Sequence, residues 1–129
     1  MSDREAMRLV LPSEPAFAVT ARVFVVTAAR HHGMDERTVE DLRLAASELF
    51  TNALEQGRQQ VTFTVAAGAQ GPILRAEGVG SLSAPVGDGD AGEVWSRTRR
   101  LDVLETLFDD LRVLDEDPGT VEIVLPRPF

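Results

Sequence analysis

The sequence contains no cysteine, lysine or tyrosine, and each absence narrows what the chain can do. Without cysteine it can form neither a disulfide framework nor a thiolate metal site. Without lysine, all 13 basic residues are arginine, so a phosphate site would have to use arginine or backbone N–H groups. No apolar run approaches the ~18 residues of a membrane-spanning helix, and the polar start Met1 to Ala6 lacks a secretory leader core. These absences predict a cytoplasmic protein that does not bind membranes.

The charge balance excludes a further class of function. The chain of 129 residues carries 21 acidic and 13 basic residues, a formal net charge of −8. Nucleic-acid binding needs a basic face toward the phosphates, so direct contact with nucleic acid is not expected. The length suits one domain, and we expect residues 1–129 to form a single domain.

Hydrophobic periodicity predicts eight regular elements. In chain order they are a strand at 6–11, a helix from Ser13 to Gly33, a helix from Asp35 to Gly57, strands at 61–65 and 72–79, a helix at 101–111, and strands at 112–115 and 121–125. The order β-α-α-β-β-α-β-β lacks the alternation of a Rossmann-type sheet. It predicts a two-layer α/β sandwich, in which a mixed, mainly antiparallel sheet has its helices on one face.

Local signals mark the ends of these elements. Ser13 and Asp35 are positioned to cap the first and second helices, and Gly33 and Gly57 to end them. Residues 78–92 contain five glycines and one proline, which predicts a loop.

Two polar residues of the second helix could carry chemistry. Glu48 and Asn52 are four residues apart, so their side chains share one helix face. A carboxylate could accept a proton, and carboxylate and amide oxygens suit Mg²⁺. The alternative is a solvated polar stripe, which is the commoner meaning of this spacing.

The stretch from Leu42 to Gly57, LRLAASELFTNALEQG, resembles the N-box helix of the GHKL ATPase superfamily, and most closely that of RsbW/SpoIIAB-type anti-sigma factors. In that family of serine kinases the glutamate is the catalytic base and the asparagine coordinates Mg²⁺. The resemblance assigns these roles to Glu48 and Asn52, while Gln56 stands where the family has histidine. The order of helices and strands along nearly the whole chain also fits the family.

The next motif of the family is only partly present. It reads Asp-x-Gly-x-Gly, and its aspartate holds the adenine amino group. The matching residues here place Gly78 and Gly80 correctly but have Ala76 at the aspartate position. Glu77 is adjacent, but neighbouring strand residues face opposite sides, so it cannot simply substitute. The glycines are therefore candidate nucleotide contacts or an ordinary exit from a strand.

The last family motif, a Gly-x-Gly-Leu phosphate cradle at the start of the third helix, is missing. Residues 95–101 read WSRTRRL and contain no glycine. Arg97 and its neighbours could bind an anion directly, or they form a solvated helix face. We therefore expect ATP binding to be weak or lost, leaving the domain without a cofactor; the alternative is weak binding of ATP and Mg²⁺.

Other candidates are weaker. The pair His31–His32 lacks the third ligand of a zinc site and is interpreted as the polar end of a helix. Ser47 has no histidine in a triad-like context. The acidic residues Asp88, Asp90 and Glu93 do not follow the calcium-loop pattern.

The resemblance implies a binding module that inhibits a sigma factor and is controlled by an antagonist, an anti-anti-sigma factor. It also implies a homodimer formed through the first strand and helix. The alternative is an active serine kinase that phosphorylates the antagonist, with Glu48 as base and Asn52 on Mg²⁺. A third possibility is a regulatory partner that uses the fold only as a scaffold.

Overall fold

The computed structural model describes residues 6–82 and 101–125. Five strands form one sheet in the order β1-β2-β3-β5-β4. The strands are β1 Met7–Pro12, β2 Gln60–Ala66, β3 Ile73–Glu77, β4 Leu111–Asp115 and β5 Thr120–Val124. A 3-10 turn, Pro15–Phe17, leads into helix α1, Ala18–His31, which is followed by α2, Glu36–Glu55. Residues 101–107 are also helical and are called α3.

The central strands β2 and β3 have a helix-covered face and an open face. Leu11 pairs with Val61, and Phe63 with Ala76, and these residues are buried on the helix side. The residues between them, such as Thr62 and Glu77, form the open face and pair with one another. This alternation follows directly from the two-residue period of a strand.

The core lies between the sheet and the helices. Helix α2 supplies its longest apolar stripe, and the helical spacing of these residues confirms the periodicity read from the sequence. The buried members of that stripe are Val39, Leu42, Ala45, Ala46, Leu49, Phe50 and Ala53. Leu104 and Phe108, at and just beyond α3, belong to the same cluster. The predicted α+β sandwich with helices on one face is therefore confirmed.

Three details of the sheet differ from prediction. All pairings among the described strands are antiparallel, so the sheet is not mixed. The strand predicted at 72–79 covers only Ile73–Glu77, because Gly78 has a positive φ of 83° that an extended strand does not allow. Leu111 was predicted in the third helix but begins β4, where it pairs with Ile123. Its apolar side chain fits the spacing of a helix and that of a strand, and its pairing with Ile123 places it in the strand.

One of the two predicted helix caps is present. The carboxylate Oδ1 of Asp35 accepts a hydrogen bond from the Thr38 N–H at 2.8 Å, as expected of an N-cap. Ser13 does not cap its helix: Glu14 is the N-cap of the 3-10 turn and Phe17 that of α1, neither with a side-chain bond, and the Ser13 hydroxyl is buried without a partner. Ser13 instead continues the extended chain, since its N–H donates to Gln59 O at 3.0 Å. The positive φ values of Gly33 and Gly57 confirm both helix ends.

Within the described residues, no helix combines the length and apolar character needed to span a bilayer. The predicted loop at 78–92 extends beyond the described residues after Leu82, and residues 95–100, where the family's last motif is expected, also lie outside them.

Candidate functional site

Helix α2 brings three polar side chains to one row at its C-terminal half. Glu48 is half-buried, Asn52 is fully buried, and Gln56 is the half-buried C-cap residue. Residues four apart on a helix lie above one another, so the row runs along one side of α2. This row faces the segment that leaves β3.

The Asn52 carboxamide is bonded to that segment. Its Nδ2 donates to Val79 O at 2.8 Å and to Ser81 O at 3.2 Å. A buried amide needs such partners, because an unpaired donor in the core costs about 1–3 kcal/mol. Asn52 therefore ties the N-box helix to the chain after β3.

Gln56 makes the second tie, one helical turn later. Its Oε1 accepts from the Ser81 N–H at 3.0 Å, and its Nε2 donates to Ser81 O. The side chain thus pairs with both backbone groups of one residue, as a neighbouring strand would. We name Asn52, Gln56, Val79 and Ser81 the amide clamp.

The same segment is bonded on its other side to the β4–β5 turn. The N–H groups of Gly78 and Val79 both donate to Gly119 O, at 2.9 and 3.1 Å, and Gly80 N–H donates to Pro118 O at 2.8 Å. A glycine-rich loop can cradle an anion with such N–H groups. Here all three donate within the protein.

Glycine is required in this segment for space as well as conformation. Gly80 has φ of 81°, and a Cβ there would lie 2.6 Å from Gln56 Oε1. Gly119 has φ of 94°, and its Cβ would lie 2.2 Å from Gly80 O. The close approach of two turns thus accounts for glycine at Gly80 and at Gly119.

Ala76 and Glu77 face opposite sides of the sheet, as the strand period predicted. Ala76 is 1% exposed on the helix side, and its methyl group offers no hydrogen bond. Glu77 is on the open side, where its Oε1 lies 3.8 Å from Arg75 Nε. Ala76, the residue that the resemblance aligns with the family's aspartate, therefore places a methyl group on the helix side.

Within the described residues, the pKa values that shift clearly belong to groups at the turn between α1 and α2. The hydrogen bond from Thr38 N–H lowers the pKa of Asp35 below its usual value. Hydrogen bonds from Arg30 likewise lower the pKa of the exposed Glu36, and Nη2 of Arg30 lies 2.9 Å from Glu36 Oε1. These shifts reflect capping and ion pairing, not a site for catalysis.

The remaining candidates do not assemble a centre in the described ranges. No group of three or more histidine, aspartate and glutamate side chains in residues 6–82 and 101–125 could hold a metal ion. His31 ends α1 and His32 is its C-cap, with their rings edge to face at 5.5 Å, in agreement with a polar helix end. Arg97 lies outside the described residues, as do Asp88, Asp90 and Glu93. The assignments of Glu48, Asn52, Gly78, Gly80 and Arg97 to nucleotide chemistry stay predictions.

Sequence reasoning placed Asn52 and Gln56 in one row but missed what they bind. Residue spacing gives no sign that Ser81 folds back against α2, nor that Gly119 packs on Gly80. Both contacts join residues far apart in the chain, and only the glycines signal an unusual backbone.

A five-stranded antiparallel sheet covered on one face by helices, one of which carries the N-box row, defines a GHKL-type domain. The model of the histidine kinase-like ATPase domain family matches residues 11–124, and the chain belongs to this family. A comparison with curated proteins found no match.

Proposed function

We propose that the protein is an anti-sigma factor-like binding module that inhibits a sigma factor, is released by an antagonist protein, and has lost effective ATP binding. The family supplies a regulatory fold built for ATP. The finer assignment is supported by the N-box row of α2 and by its resemblance to the RsbW/SpoIIAB-type helix.

One observation favours a binding module over an enzyme. Ala76, which is 1% exposed, is the residue that the resemblance aligns with the family's adenine-binding aspartate. A methyl group cannot accept the hydrogen bonds of an exocyclic amine, so the main determinant of adenine recognition is gone. The residues present do not fit ATP in the manner of the family, and we derive no step through it.

The amide clamp gives the N-box row a structural role. Asn52 is fully buried and its Nδ2 is engaged by Val79 O and Ser81 O. Mg²⁺ would be coordinated by the oxygen Oδ1, which these two bonds do not involve, so they assign a structural role to Nδ2 alone.

Charge supports a basic protein partner. The net charge of −8 favours a partner with basic surface patches, because opposite potentials speed association and align the two proteins. A sigma factor, as a DNA-binding protein, carries such patches. We propose that the complex forms in the cytoplasm and that the module acts as a homodimer.

The serine kinase is the second candidate, favoured by the retention of Glu48 beside Asn52 on α2. Thermal unfolding with increasing ATP·Mg²⁺ separates the two functions, because a ligand that binds only the folded state raises the midpoint by mass action. The binding module predicts no shift at millimolar ATP·Mg²⁺. A saturable rise, together with phosphate transfer to a serine of the antagonist, would establish the kinase.

The sigma-factor assignment needs its own experiment. The tagged chain is used to capture the purified sigma factors of its source, with an equally acidic, unrelated domain as control. Retention of one sigma factor in a complex that withstands physiological salt supports the proposal. Failure to retain any of them refutes it.

A further inference from the structure

The open face of the sheet contains a cleft that the proposed function does not use. It has a volume of about 580 Å³ and lies where α2 ends, β2 begins and β3 ends. Its lining residues are Gly57, Arg58, Gln59, Gln60, Thr62, Glu77, Gly78 and Pro118. The volume is within the ~300–1,000 Å³ of small-molecule sites. Because Thr62 and Glu77 face away from α2, the cleft is on the opposite side of the sheet from Asn52 and Ala76.

Thr62 contributes a hydroxyl-bearing side chain to the lining of the cleft. Thr62 is 6% exposed, and it lies between the other polar residues of the lining. A hydroxyl can both donate a hydrogen bond to a ligand in the cleft and accept one from it. Glu77 is directly opposite Thr62 in the β2–β3 pairing, which puts a carboxylate beside that hydroxyl.

A cationic group lines the same cleft. Arg58 has one described ion pair, from its Nη1 to Asp117 Oδ1 at 3.4 Å, and the Asp117 side chain is 87% exposed. An exposed pair of this length binds weakly, so most of the guanidinium donors stay available to a ligand. Glu77 is similarly only loosely paired, at 3.8 Å from Arg75.

The walls around these groups are polar and fixed. Gln59 and Gln60 are among its polar lining residues, and among the described residues that line it only Pro118 and the glycines have no polar side chain. Ser13 N–H bonds to Gln59 O at 3.0 Å, and Gly78 N–H to Gly119 O at 2.9 Å, so the rim is held by backbone bonds. The lining therefore suits a polar ligand with charges of both signs rather than an apolar one.

We propose that this cleft binds a zwitterionic ligand of the amino-acid or dipeptide class. Arg58 receives the ligand carboxylate, Glu77 receives its ammonium group, and the Thr62 hydroxyl bonds to a polar group between them. A guanidinium matches a carboxylate with two parallel hydrogen bonds, whereas an ammonium group needs only acceptors such as a carboxylate oxygen.

The experiment titrates the full chain with glycylglycine and follows backbone amide NMR shifts. Two blocked probes serve as chemical controls, N-acetylglycylglycine without the ammonium and glycylglycinamide without the carboxylate. The proposal predicts saturable shifts at residues 58–62 and 77–78, and binding about tenfold weaker for each blocked probe, since each loses one charge-assisted contact. The absence of saturation at high millimolar glycylglycine, or equal binding of all three probes, would overturn it.

Variants identify the groups involved. Arg58→Gln, Glu77→Gln and Thr62→Val should each weaken glycylglycine binding about tenfold, because each removes one polar or charged contact. Arg43→Gln is the matched control, since Arg43 is an exposed arginine on α2 that pairs with Glu40 at 3.0 Å. Unchanged binding in Thr62→Val would show that only water meets the hydroxyl and would refute the proposed contact. A loss in Arg43→Gln equal to that in Arg58→Gln would refute the site.

Discussion

The side chain of Gln56 pairs with the backbone of Ser81 through two hydrogen bonds, accepting from its N–H at 3.0 Å and donating to its carbonyl. Asn52 reaches the same carbonyl at 3.2 Å. Two amides at the end of one helix thus hold the chain that leaves β3. The resemblance assigns Asn52 to Mg²⁺, and the described bonds of both amides are made to the backbone of the protein.

Removing the Gln56 amide should destabilise the fold. Gln56→Ala leaves the partly buried N–H and C=O of Ser81 without these partners, and we expect a loss of about 1–3 kcal/mol in the free energy of unfolding. Urea unfolding monitored by circular dichroism measures it. Gln59→Ala is the control, because Gln59 is exposed and its side chain has no described hydrogen bond. Equal stability of the two variants would contradict the structural role of the clamp.

The contact between Gly119 and Gly80 gives a second prediction. In Gly119→Ala the new Cβ would lie 2.2 Å from Gly80 O, whereas in Gly57→Ala nothing lies within 4 Å. Both positions have positive φ, so both variants bear the ~1–2 kcal/mol penalty of a left-handed residue. Gly119→Ala should lose about 2 kcal/mol more, because backbone must move. Thermal and urea unfolding compare them, and similar losses would show that the two turns do not pack closely.

Restoring the acidic residue of the family motif should harm this protein. Ala76→Asp places a carboxylate at a position that is 1% exposed among apolar residues, and we expect a loss of about 3–5 kcal/mol. Ala76→Ser, which adds a smaller neutral group, should lose less. Unfolding is measured with and without ATP·Mg²⁺. If ATP·Mg²⁺ restored the stability of the Asp variant, an adenine pocket would still be present, and the proposed loss of ATP binding would be wrong.

The Asp35 cap predicts a pH dependence. The Thr38 N–H lowers the pKa of Asp35 in the folded state, so the cap stabilises the protein above the unfolded-state pKa of ~3.9. That stabilisation is lost as the pH falls through the lower folded-state value. Asp35→Ala should therefore unfold at a lower temperature than the wild type at neutral pH, and the difference should shrink in acid. Asp35→Asn, which keeps an acceptor oxygen, should retain more of the stability.

A difference in unfolding temperature between wild type and Asp35→Ala that stays constant from neutral to acidic pH would contradict this prediction. Such a constant difference would assign the loss to helix propensity rather than to the charged cap. The exposed pair of Arg30 and Glu36 provides the reference, because exposed ion pairs contribute little and Glu36→Gln should change stability only slightly.

Much of the fold could be predicted from sequence because its signals are local. The stripe of α2, the Asp35 cap, the Gly33 stop and the hairpin of β4 with β5 each follow from residues within a few positions of one another. The opposite facing of Ala76 and Glu77 also follows, since strand geometry fixes it.

Local signals failed where two structures competed for the same residues. Leu111 fits the apolar stripe of a helix and equally the first position of β4, and pairing with Ile123 decides between them. Ser13 suits a cap, but the bond from its N–H to Gln59 O keeps the chain extended there. Both outcomes depend on partners distant in sequence.

The sequence by itself determined the elements, their order, and the residues of the N-box row, because side-chain period and turn chemistry act over a few residues. Only the tertiary structure decided what those residues bind. The Asn52 and Gln56 amides meet Ser81, and the β3 exit packs on Gly119, because the sheet brings segments remote in the chain to within hydrogen-bond distance. The open-face cleft at Thr62 arises in the same way, since β2, β3 and the β4–β5 turn converge there. Buried polar groups must be paired, and folding alone fixes which partners are in reach.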